Sequence, residues 1–248
     1  MSERRLARVL APHEDAFGAL LTDHLAGKRP IEVVERDDGF VFTGATGYWL
    51  APRRAWWPQE RRAMRLVRGR VLDVGCGAGR IGLDLQERGF DVVGLDLSPG
   101  AIAIARERGM ADARAGTVSD TVRHNERFDT VLLLGNNVGL LGGEASGRRY
   151  LRELARVAVP GGRLLAGSFD PYDGASDAAL RYQEHNRARG RMGGVERLRV
   201  PYRDLATPWY DVLFASREEL AALADGTGWI LRRFLDEGAG YVAVLERG

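Results

Sequence analysis

The sequence predicts an α/β fold built on an open, mostly parallel sheet, and three stretches predict it. A short apolar run, 71–74, passes into glycines at 75, 77 and 79 and then at once into an amphipathic pattern from Arg80. That order reads as strand, tight turn, helix. A second apolar run, 91–95, ends in Asp96. A third, from Phe128 to Leu134, is apolar enough for a strand buried on both faces. With 248 residues and 45% hydrophobic content, the chain can bury a substantial core as one α/β domain.

The elements follow in chain order. Residues 3–26 predict a helix, with apolar positions at Leu6, Val9, Leu10, Phe17, Leu20 and Leu21. Runs 31–35 and 40–43 predict a hairpin turning at Asp37-Asp38-Gly39. Tyr48, Trp49, Trp56 and Trp57 then crowd ahead of the first core strand, a density that core packing alone explains. After Asp96, Ser98 can cap and Pro99 can start a helix over 100–108. A strand over 112–115 leads into Gly116-Thr117-Val118, and the strand from Phe128 ends in Gly135-Asn136-Asn137-Val138. Helix 144–157, the turn Pro160-Gly161-Gly162 and a strand to Ala166 come next. Residues 170–215 predict an insertion: a loop bearing Tyr172, Tyr182 and His185, then strand-like stretches 195–202 and 209–214. Helix 216–224 and an antiparallel pair, 229–235 and 241–245, complete the sheet. The chain therefore divides into a cap over 1–65, a core over 66–169 and 216–248, and an inserted lid of the same domain over 170–215.

The glycine turn carries the chemistry. Glycine permits backbone angles closed to other residues and removes the Cβ that would hold a ligand off the main chain. An acid ending a buried strand is costly unless something pairs with it, so Asp96 reads as a ribose-binding carboxylate. Turn and acid together describe recognition of an adenosine-type cofactor. A dinucleotide fingerprint wants G-x-G-x-x-G, whereas this chain has Gly75-x-Gly77-x-Gly79, with Arg80 at the third glycine's place. Asp73 precedes the turn inside an apolar strand. Asp73 and Asp129 also have a plainer use, satisfying nearby backbone donors.

These residues resemble the class I S-adenosylmethionine-dependent methyltransferases, whose first motif is E/D-x-G-x-G-x-G and whose second strand ends in an acid. The resemblance covers 71–167 and, more weakly, the carboxyl-terminal hairpin. It implies the Rossmann-like methyltransferase fold: a mostly parallel seven-stranded sheet with an antiparallel C-terminal hairpin. It also implies S-adenosylmethionine as cofactor and S-adenosylhomocysteine as product. The implied cofactor residues are Asp73, Gly75, Cys76, Gly77, Gly79, Asp96, Leu97, Gly135 and Asn136, with Tyr48 as the aromatic from the approach segment. Thr117 stands where the family often has an aspartate for the adenine amino group. That contact falls either to the Thr117 hydroxyl or to backbone at Val118. For the acceptor, Asn137, Tyr172, His185 and Trp209 are the candidates by position. If the acceptor is a hydroxyl, a base helps remove its proton, and His185, His124 or Asp170 could serve, His185 being the best placed on the lid. The N-P-P-Y and D-P-P-Y signatures of amide and adenine-amino methylation are absent.

Composition narrows the alternatives. Lys28 is the sole lysine among 36 basic side chains, which 34 acids nearly balance. A net charge of +2 gives no electrostatic footprint for a duplex and argues against a large nucleic-acid partner. The arginines of 181–203 leave room for a guanidinium wall around an anionic acceptor, or merely for a solvated surface. Cys76, the single cysteine, excludes an internal disulfide and a cysteine-based zinc cluster, and the four histidines show no metal-ligand spacing, so no metal is expected. Without a long apolar run or a leader pattern, a cytoplasmic protein with no membrane partner is expected. A methyltransferase for a small-molecule acceptor is the leading reading. An RNA or protein methyltransferase, a non-catalytic binder of the cofactor or its product, and a nicotinamide-dependent oxidoreductase are the alternatives.

Overall fold

The computed structural model describes residues 8–44 and 46–248. Its strands are β1 (Val33–Arg36), β2 (Val41–Thr43), β3 (Val71–Val74), β4 (Val92–Asp96), β5 (Asp112–Ala115), β6 (Phe128–Leu133), β7 (Ala158–Phe169), β8 (Val195–Arg199), β9 (Pro201–Tyr202), β10 (Leu205–Ala206), β11 (Tyr210–Leu213), β12 (Trp229–Glu237) and β13 (Gly240–Arg247). The helices are α1 (Ala16–Leu25), α2 (Pro58–Ala63), α3 (Arg80–Glu87), α4 (Pro99–Glu107), α5 (Val118–Arg123), α6 (Glu144–Val157), α7 (Asp177–Ala188) and α8 (Arg217–Ala224).

Seven strands form the central sheet in the order β12-β13-β7-β6-β3-β4-β5. Pairs β3–β4, β4–β5, β3–β6 and β6–β7 are parallel, and β13 runs antiparallel to both β7 and β12. The predicted sheet and its C-terminal hairpin are thus present. Alternate residues of the central strands serve opposite faces. Leu72, Leu133 and Leu164 join one core cluster, and their neighbours Val71, Leu132 and Leu165 join the other. This two-sided burial is why these stretches read as unbroken apolar runs. Strand order reverses between β3 and β6, so a crevice opens beyond their carboxyl ends, the place where open α/β sheets bind ligands.

Two readings are corrected. Of the helix predicted over 3–26, residues 1–7 lie outside the described residues, and the described part is helical only from Ala16. Residues 12–14 form a single 3-10 turn beginning at Pro12, and the Asp15 carboxylate accepts a hydrogen bond from the Gly18 amide (3.0 Å), which fixes the start of α1. Leu10 lies outside any helix, its amide donating to the Leu97 carbonyl at 2.8 Å. The predicted loop around Tyr182 and His185 is instead the helix α7, capped by Ser176. Its buried face is Tyr182, Gln183 and Asn186, too polar to register as an apolar stripe. The Asn186 amide is satisfied by the Gly193 and Val195 carbonyls at 3.2 and 2.7 Å.

The predicted N-terminal hairpin and two strands of the insertion make one sheet, ordered β11-β8-β1-β2, while β9 and β10 pair with each other apart from it. β1 pairs antiparallel with β8, Glu35 opposite Arg199 and Arg36 opposite Leu198. Val34, Phe42, Leu198, Val200 and Val212 cluster on one face of this composite sheet, and that face closes over the crevice.

Candidate active site

The glycine loop is held from beneath and open above. Gly75, Gly77 and Gly79 all have positive φ, at 73°, 54° and 79°. The Gly75 and Cys76 amides donate to the Leu95 carbonyl at 2.8 and 3.0 Å, which binds the loop to the neighbouring strand. A Cβ on Gly75 would lie 2.5 Å from the Asn137 amide nitrogen, which donates to the Val74 and Gly75 carbonyls. One on Gly77 would meet nothing nearer than the Phe17 ring at 4.0 Å, so the loop's outer face is free for a ligand. Gly79 turns toward the core, where a Cβ would sit 3.3 Å from the Met110 sulfur. The Cys76 thiol is buried and packs beside Gly94, and burial pushes its pKa up.

Asp96 ends β4 beside this loop. Its two oxygens accept hydrogen bonds from the Gly77 amide (2.8 Å) and the Ser98 amide (2.9 Å). The carboxylate is half-buried and lines the crevice, and burial raises its pKa. Each oxygen keeps a lone-pair site beyond its amide partner. Asp15 clamps the same corner from the N-terminal segment. It accepts from the Ser98 hydroxyl (2.6 Å) and the Gly100 amide (2.7 Å), and no sequence motif announces it.

Asp73 is buried, and one of its carboxylate oxygens makes no hydrogen bond. Burial pushes its pKa up to about 7, against the pull of the Arg80 guanidinium. Arg80 is itself buried and forks onto Glu60 at 3.0 and 3.2 Å. Glu60 also accepts from the Gly135 amide (2.6 Å) and the Tyr48 hydroxyl (2.5 Å). Tyr48 is therefore a structural residue: it stacks on Trp57 at a centroid distance of 4.2 Å and does not line the cavity. Its neighbour Trp49 and Phe17 line it instead.

The Thr117 hydroxyl donates to Asp120 at 2.8 Å, and the Thr117 amide donates to the same oxygen at 2.7 Å, so this side chain helps start α5. Thr117, Val118, Gly135, Asn136, Asn137 and Leu97 all border the cavity. Asp129 has the plainer role, accepting from the Arg70 amide at 2.9 Å.

The cavity, of about 380 Å³, runs from the glycine loop to the composite sheet. Among the acceptor candidates only Asn137 borders it. His185 is on the exposed face of α7, 2.8 Å from Arg189. Tyr172 donates to Glu219 at 2.5 Å, and Trp209 packs under the Arg199 guanidinium. His124 is exposed at the end of α5, and Asp170 faces Arg217 at 3.5 Å. None of these five lines the cavity. The lining that sequence reading missed is Glu32, Val34, Phe42, Leu198, Val200 and Tyr210, residues that carry no motif and meet only through the composite sheet. Several arginines of 181–203 are engaged within the fold: Arg191 with Asp211, Arg199 with Glu35, Arg203 with Asp23.

Residues 71–162 match the model of a methyltransferase domain. Over 122 residues the chain is 33% identical to a ubiquinone biosynthesis O-methyltransferase of Azorhizobium caulinodans, the match spanning 45% of each protein. It is 34% identical over 114 residues to the 2-heptyl-1-hydroxyquinolin-4(1H)-one methyltransferase of Mycobacteroides abscessus, spanning 42% of this chain and 48% of that one. The chain thus matches about half the length of these curated relatives. Likeness in structure extends further. A methyltransferase of Bacteroides fragilis, solved with S-adenosylhomocysteine, superposes with a TM-score of 0.80 and 26% identity, covering 97% of this chain and 98% of that one. No helix among the described residues is long and apolar enough to cross a membrane.

Proposed function

The chain belongs to the class I S-adenosylmethionine-dependent methyltransferases, and from that premise we propose that it methylates a small, largely apolar acceptor. The observation that carries the reading is Asp96, fixed by two backbone amides beside an open glycine loop and facing the cavity that the loop borders. The residues present suit this cofactor. Asp96 would accept hydrogen bonds from the two ribose hydroxyls, the Gly75–Gly77 backbone would admit close approach, and Val118 with Thr117 would border the adenine. Asp73, with an oxygen that lacks a hydrogen bond, would supply negative charge toward the cationic end once ionised, and Gly135 and Asn136 would flank the methionine part.

When bound, S-adenosylmethionine supplies a methyl group already activated on a sulfonium. The protein's work is then to hold a nucleophile in line and to keep water out. Orientation of this kind is worth roughly 7–11 kcal/mol of barrier. Phe17, Trp49 and the apolar face of the composite sheet provide the walls. A cavity of about 380 Å³ is of small-molecule size. The internally paired arginines of the insertion favour this reading over an RNA acceptor.

Thermal unfolding with S-adenosylmethionine, S-adenosylhomocysteine, NAD and NADP tests the cofactor. The first two at a hundred times their Kd stabilise by ~2.7 kcal/mol, a rise of roughly 5–10 °C. A rise with a dinucleotide alone would overturn the reading. Transfer of labelled methyl to a panel of alkylphenols and 2-alkyl-1-hydroxyquinolones, against polar metabolites and tRNA, tests the acceptor class.

A further inference from the structure

The composite sheet roofs two cavities. Side chains two residues apart on a strand share a face. Val34 and Leu198 border the cavity beside the glycine loop, whereas Arg36 and Glu196, their neighbours on the same face of β1 and β8, border a second cavity of about 270 Å³. Ala179 and Gln183 of α7 border this second cavity as well. Phe42 and Phe214 border both, so the two cavities abut at these rings.

The charges of the second cavity are matched within the fold. Arg36 is buried, donates to Asp38 through Nε and Nη2 at 2.9 Å each and to Glu196 through Nη1 at 3.1 Å, and lies over the Phe40 and Tyr182 rings. A guanidinium already facing two carboxylates is no anion site. Among the described residues that line the cavity, one buried side-chain atom has no hydrogen-bond partner, Gln183 Oε1. Gln183 is 4% exposed, and its Nε2 donates to the Pro171 carbonyl at 2.7 Å. Turning the amide round would set two oxygens against each other at Pro171, so the group offers an acceptor.

Leaving a buried acceptor unmet is costly, and a ligand donor that reaches it recovers that cost. The lining charges of Arg36 and Glu196 cancel, which favours a neutral donor over a cation. We propose that the second cavity is a distal subsite of the acceptor pocket, where Gln183 Oε1 accepts a hydrogen bond from a hydroxyl or amide N–H at the far end of an elongated, otherwise apolar acceptor. The inference rests on the methyltransferase reading and deepens it.

The test titrates the full chain, saturated with S-adenosylhomocysteine, with ω-(4-hydroxyphenyl)alkan-1-ols from the butanol to the decanol and with their terminal methyl ethers, which cannot donate. At the chain length that reaches Gln183, the alcohol binds about 3–10-fold tighter than its ether. Shorter homologues show no such preference. Gln183→Leu brings the ratio near one. Ala179→Leu, which fills the cavity and leaves Gln183 in place, does the same. S-adenosylhomocysteine affinity stays within about twofold in both variants, because neither residue borders the glycine-loop cavity. If Gln183→Leu does not fold, Ala179→Leu decides. A ratio near one at every length in the wild type overturns the proposal and leaves Oε1 to water. So does a preference that survives either variant, or failure of every probe to bind. Wild-type protein that does not bind S-adenosylhomocysteine would overturn the methyltransferase reading itself.

Discussion

The two walls of the cavity are built by opposite means. The glycine-loop wall comes from 73–118, short segments that follow one another along parallel strands and are tied by the loop's own amides, Gly75 donating to the Leu95 carbonyl and Gly77 to the Asp96 carboxylate. The opposite wall joins strands far apart in sequence, Arg36 opposite Leu198 and Glu35 opposite Arg199, and faces the cavity with side chains packed on one side of that sheet. The difference teaches why the first reads as a motif and the second does not. A backbone cradle needs particular residue types at fixed spacing. A packed face needs only apolar volume, which many sequences supply.

The comparison can be broken or sharpened by substitution. The largest effect is expected beneath the cradle. Glu60→Leu strands the buried Arg80 guanidinium and frees the Gly135 amide, and breaking a buried pair costs about 3–5 kcal/mol. The unfolding midpoint should fall by roughly 10 °C, and a fall of a degree or two would show the network to be incidental. On the other wall, Leu198→Ala should cost about 2–3 kcal/mol in stability while S-adenosylhomocysteine affinity stays within about twofold. Equal loss at both walls would mean that they fold as one unit. Asp96→Ala acts in the reverse sense, weakening S-adenosylhomocysteine about 10–100-fold. Unchanged affinity in isothermal titration would remove Asp96 from the cofactor site.

A pH effect singles out Asp73. Its folded pKa of about 7 is above the ordinary carboxylate value, because burial disfavours the charge. Between roughly pH 4 and 7 the folded chain therefore binds more protons than the unfolded one, and this residue's contribution to stability declines as pH rises through that window. Binding of a cationic cofactor runs the other way, tightening as Asp73 ionises near pH 7. Asp73→Asn should flatten both dependences, and an unaltered pH profile of S-adenosylmethionine affinity would contradict the assignment. The smallest effect belongs to His185→Ala. That side chain is exposed and outside the cavity, so stability should move by less than about 0.5 kcal/mol, and methyl transfer should keep its rate and pH profile.

The sequence by itself determined the central sheet, the glycine loop and Asp96, because these depend on local rules. Apolar runs of strand length, a Ser98-Pro99 helix start and glycines at positive φ leave their marks within a few residues. Beyond such rules it misplaced what side-chain partners decide. Tyr48 and Trp49 are adjacent aromatics with the same composition signal. The buried Glu60, twelve residues from Tyr48, takes the hydroxyl of the first and turns it away from the cavity, while the second faces it. α7 is hidden because its buried face is polar, Asn186 being satisfied by carbonyls just beyond the helix end. The wall opposite the glycine loop was decided by tertiary structure alone. Glu32 and Tyr210 become neighbours only when β1 pairs with β8 and β8 with β11, and a pairing across that chain separation leaves no periodicity in the sequence to read.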